Sequence, residues 1–104
     1  MGRPDSAVYT LLVDVGRKPG DGLPDGATGA RVLCYAVGVD EDEAVRETVA
    51  VLKAADLAPL DVTGFGSLDE RQQGDGVEPE ELELMERARA DNAVIVAEVT
   101  PVFG

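Results

Sequence analysis

The sequence predicts an α+β domain: a two-layer sandwich with a four-stranded mixed sheet and two helices on one face, in the order ββαβαβ. Three observations carry that expectation. Four runs rich in Val, Leu, Ile and Tyr are bounded by Gly, Pro or Asp, the pattern of strands. Two other segments space their apolar residues at helical intervals behind acidic first turns. The 104 residues, 44% of them apolar, suffice for one core and leave no room for a second, so residues 1–104 are read as a single domain.

Residues 1–6 are expected to form a flexible N-terminus. Residues 7–15 (AVYTLLVDV) make the first strand. Residues 16–29 hold five glycines and two prolines and predict a long mobile loop. Residues 30–39 (ARVLCYAVGV) form a second strand that hairpins back on the first.

Asp40 opens the clearest helix. With Glu41, Asp42 and Glu43 it places acids at the N-cap and first turn, where free amides and the helix dipole favour negative charge. Val45, Thr48 or Val49, Leu52 and Ala55 make its apolar face, Asp42 and Arg46 have ion-pair spacing, and Pro59 ends it. Residues 60–65 (LDVTGF) are a short third strand. Ser67-Leu68-Asp69-Glu70 has the form of a capping box and predicts a short helical turn, broken by Gly74-Asp75-Gly76. Pro79 suits a first helical position and is followed by Glu80 and Glu81; Leu82, Met85 and Ala88 give that helix its inner face. Arg87 and Arg89 lie near its C-terminal end, and Asn92 terminates it. Residues 93–99 (AVIVAEV) form the last strand, whose nearly unbroken apolar run predicts a central place in the sheet. The second strand, first helix and third strand should form a right-handed parallel crossover. In size and layering the arrangement resembles ferredoxin-like sandwiches, but their order is βαββαβ, and no family membership follows.

The formal charge is −12, from 21 acids and 9 bases, which argues against nucleic-acid and anionic-membrane partners and leaves a basic protein as a possible one. No run of 18 apolar residues is present, and no basic region leads into an apolar stretch, so a cytoplasmic location is expected. Residues Met1 to Ser6 fit a loose myristoylation pattern, too short to carry weight. Cys34 is the only cysteine, so no internal disulfide forms.

Histidine is absent, which removes Ser-His-Asp and Cys-His catalysis and histidine metal ligation. Cys34 sits in a strand of small apolar residues and reads as a buried hydrophobe rather than a reactive thiol. An EF-hand counted from Asp40 would need Gly and Glu where Val45 and Val51 stand. Gly64-Phe65-Gly66-Ser67 follows a strand, but Asp69 occupies the third glycine position of a dinucleotide fingerprint, and a turn with a cap explains it. No cofactor, metal or catalytic residue is assigned. Asp14 and Asp61 are the acids expected to be partly buried.

A sheet with helices on one face leaves the other bare. The second strand is apolar on both sides, Leu33, Tyr35 and Val37 against Val32, Cys34 and Ala36, and the last strand repeats this with Ile95 and Ala97 against Val94 and Val96. A bare face facing water should alternate apolar with polar. Val32, Cys34, Ala36, Val94, Val96 and Phe103 are therefore expected to form an interface, most simply a two-fold homodimer packed sheet to sheet. The function expected is that of a small acidic non-catalytic interaction module. A small-ligand sensing domain, with a pocket at a dimer interface or beside Gly64–Ser67, is the alternative, and a carboxylate-based enzyme comes last.

Overall fold

The computed structural model describes residues 6–74 and 76–103. Of the flexible N-terminus expected at residues 1–6, and of the lipidation pattern there, all but Ser6 lies outside the described residues. The elements run β1 (Ala7–Gly16), β2 (Gly29–Gly38), α1 (Glu41–Ala54), β3 (Ala58–Ser67), α2 (Leu68–Gln73), α3 (Pro79–Asp91) and β4 (Ile95–Val102).

β1 and β2 form the expected hairpin, in register from Ala7 opposite Gly38 to Val15 opposite Ala30. The loop between them is fastened by its own side chains. The Arg17 guanidinium donates to the Asp21 carboxylate and to the carbonyls of Leu23, Pro24 and Ala27. Asp21 in turn accepts from the backbone N–H groups of Lys18 and Leu23.

α1 starts where Asp40 accepts from the Glu43 amide at 2.8 Å, and the Glu43 carboxylate reaches back to the Val39 amide. Gly38 makes this entry possible: a Cβ there would lie 2.7 Å from the Asp40 carbonyl oxygen and 2.8 Å from the Ala44 nitrogen. Ala44, Thr48 and Leu52 are the buried face. Asp56, at φ 63°, turns the chain into β3. The capping box at Ser67 and Glu70 forms with both of its hydrogen bonds and launches α2. Pro79 begins α3, and Asn92 ends it in a left-handed conformation at φ 50°.

The sheet order is β3-β1-β2-β4. β2 and β3 do run parallel on either side of α1, but β1 lies between them, so every neighbouring pair is antiparallel and the sheet is not mixed. β4 is an edge strand rather than a central one. Each edge carries a proline, Pro59 on β3 and Pro101 on β4, which cannot donate to an added strand.

The larger correction concerns the helices. α1 covers one face, where Leu52 packs with Val13, Val15, Ala30, Val32 and Cys34, and Ala44 with Leu11 and Ala36. α2 and α3 cover part of the opposite face, where Leu68, Met85 and Ala88 pack with Val8, Tyr35 and Val37. The helices therefore flank the sheet instead of sharing one side. β2 is apolar on both sides because each side meets a helix.

Candidate functional site

The six expected interface residues separate under this arrangement. Val32, Cys34 and Ala36 are fully buried beneath α1, in the chain's own core, and are not available to a partner. Val94, just before β4, is half-buried against the same cluster. Val96 and Phe103 remain open, 42% and 61% exposed. Val99, 43% exposed, joins them from outside the expected set.

Cross-strand register explains the exposure. Val96 lies opposite Cys34 and Val99 opposite Val32, so both point to the α1 side of the sheet. α1 leans over β2, β1 and β3 and leaves β4 largely uncovered. The result is a shelf floored by Val96 and Val99. At one end of it, Glu43, Glu47 and Val51 of α1 line a depression together with Asn92, Ala93 and Val94.

The part of the opposite face that α2 and α3 do not reach sets polar side chains around Leu12 and Leu33. Arg31 Nε stands 3.5 Å from Asp14 Oδ1, and Glu98 and Thr100 continue the surface on β4. Asp14 and Asp61 are direct cross-strand neighbours; Asp14 is half-buried and Asp61 exposed. This part of the sheet alternates as a solvated antiparallel face should. The sheet-to-sheet contact expected from sequence meets here only Leu12 and Leu33, both half-buried, set among Arg31, Glu98 and Thr100.

A second feature lies where α2 and α3 meet the sheet. Thr10, Leu33, Phe65, Arg71, Gly74, Gly76 and Glu81 line a cleft of about 490 Å³. Its polar wall is one connected network. Arg71 Nη1 donates to Thr10 Oγ1 at 2.8 Å and to Glu81 Oε2 at 3.0 Å, and Nη2 donates to Glu81 Oε1 at 3.3 Å. The Tyr35 hydroxyl donates to Glu81 Oε2 at 2.8 Å. Arg71 and the Tyr35 hydroxyl hold the Glu81 carboxyl below its ordinary value against the opposing effect of burial. Burial, then the neighbouring carboxylate, pushes Tyr35 up to about 12.

Phe65 closes the cleft on the side of Gly64–Ser67, the stretch that the sequence marked for a possible pocket. Thr10, Arg71 and Glu81 carried no such mark. Arg71 and Glu81 are ten residues apart across a turn and meet through packing, which no spacing rule detects. The one signal in hand was Tyr35, a phenol inside an apolar strand that needs a buried partner.

Burial raises the Cys34 thiol to about 11, which suits a packed hydrophobe and opposes thiolate chemistry. Among the described residues, no three side chains of metal-ligating type converge. None of the described helices is long and apolar enough to cross a membrane.

A family model matches residues 8–103, which take in α1, α2 and α3 and all of the sheet but Ala7. The chain belongs to the family described as domain of unknown function DUF8846. No curated protein and no solved structure matches it.

Proposed function

We propose that this DUF8846 domain is a non-catalytic interaction module that pairs with a second copy of itself through the shelf beside α1. The observation that supports this reading is the pair Val96 and Val99, over 40% exposed, on a stretch of the α1-side sheet face that α1 leaves largely uncovered. Neighbouring apolar side chains exposed on a strand gain free energy by leaving water, about 25 cal/mol per Å² removed. Two-fold pairing places each shelf against its own copy and doubles the area buried. Pro101 opposes edge-to-edge strand pairing, so the contact is face to face. The charge of −12 per chain opposes self-association at low ionic strength, and pairing should strengthen as salt screens it. Multi-angle light scattering at low and moderate salt tests this: a mass that rises from near 10.9 kDa towards twice that value supports the module, and 10.9 kDa at every salt removes it.

A small-ligand sensing domain is the second reading, and the cleft at Arg71 supports it. A thermal-shift screen of metabolites tests it, since a ligand of the native state raises the melting temperature. A broad library without a hit would remove it.

A further inference from the structure

We propose that the cleft between α2, α3 and the sheet takes a small uncharged planar molecule that presents two neighbouring in-plane acceptors to Arg71, as an oxopurine does. The inference rests on the ligand-sensing reading and names the chemistry of its ligand.

A guanidinium carries five N–H groups. Two from Nη1 go to Thr10 and Glu81, and one from Nη2 goes to Glu81. The Nε–H and the second Nη2–H lie side by side on the remaining edge of the fork, and neither has an acceptor among the described residues. Such an edge matches two coplanar acceptors, the pairing by which arginine reads the O6 and N7 atoms of a purine.

Charge then selects among the molecules that fit the edge. Glu81 already neutralises Arg71, and the chain as a whole carries −12. An anion would gain from Arg71 about what it loses to Glu81 and the surrounding field, so carboxylates and phosphate esters are disfavoured. An uncharged ligand avoids that penalty.

The remaining lining suits a ring. Phe65 is 52% exposed and stands with Leu33 as the apolar part of the wall, offering a face for stacking. The volume falls in the range of roughly 300–1,000 Å³ usual for small-molecule sites.

Inosine and adenosine make the test, because they share ring system and sugar but differ at position 6, where inosine accepts and adenosine donates. In amide NMR titrations, inosine should shift Leu33, Gly74 and Gly76 and bind about ten-fold tighter than adenosine. Phe65→Ala, at an exposed position, should weaken inosine binding while leaving the rest of the spectrum in place. Arg71→Lys, checked for folding by circular dichroism, should erase the preference. No inosine shifts at a few millimolar, or equal binding of adenosine, overturns the class. Benzoate shifting the same amides more strongly than inosine overturns it too, yet leaves the ligand-sensing reading standing. Silence from a broad fragment set removes both.

Discussion

Tyr35→Phe removes one oxygen from the centre of the fold and little else. The ring is 1% exposed and stays in place, so no large cavity opens. What is lost is the 2.8 Å hydrogen bond to Glu81 Oε2. Bonds to charged groups contribute about 1.5–3 kcal/mol. The low end applies, because the Glu81 side chain is 27% exposed, admits water, and keeps both Arg71 contacts. The expected loss is about 1.5 kcal/mol. For a domain of this size that lowers the melting temperature by about 6–12 °C at fixed protein concentration. The loss should also depend on pH. Glu81 has a depressed folded pKa, so its contribution is fully present above its ordinary 4.5 and disappears as pH falls through the lower folded value. Urea denaturation of both proteins at pH 7 and towards pH 3 measures this. A difference near zero at pH 7, or one unchanged on acidification, would refute the view that Glu81 joins α3 to β2 as a charged acceptor.

Three further outcomes are expected. Thr48 Oγ1 is buried without a hydrogen-bond partner among the described residues, so Thr48→Val should stabilise the domain by about 1 kcal/mol, read as a higher urea midpoint; destabilisation would mean that the hydroxyl has an acceptor. Cys34 should resist an aromatic disulfide reagent in the native protein and react fully in urea; rapid native labelling would contradict its burial and raised pKa. Asp21 is held at about 2, first by the Lys18 amide and then by Arg17 and the Leu23 amide, so loop 17–28 gains stability from it above pH 3.8 and loses that stability as pH falls through 2. Amide exchange at Lys18 and Leu23 should be slowed at pH 5, and Asp21→Asn should remove the protection; equal exchange in both proteins would leave the loop unfastened.

The local elements were legible because their signals are local. Asp40, Ser67, Glu70, Pro79 and Asn92 act through backbone groups a few residues away, and each does in the fold what its position in sequence announces. The two-sided apolar character of β2 was legible as well. Its cause was not, because periodicity shows that a strand is buried on both faces without showing what buries it. Sequence reasoning supplied a second subunit; the fold supplies α1 on one side and α2 with α3 on the other. β4 misled for a related reason: Ile95 and Ala97 pack towards α3 while Val96 and Val99 stay open, so an apolar run marked an edge and not a centre. Arg31 opposite Asp14 and Glu98 opposite Leu33 are polar residues set on the uncovered part of the other face, beside Leu12.

Sedimentation equilibrium of the wild-type chain beside a Val96→Asp, Val99→Asp double variant, both at moderate salt, bears most directly on the proposed shelf. Both residues are exposed in the single subunit, so the variant should keep its fold while losing the partner. The wild type should show a mass approaching twice 10.9 kDa, with the variant at 10.9 kDa across the same concentrations. Two proteins of equal mass, whether both single or both paired, would contradict it.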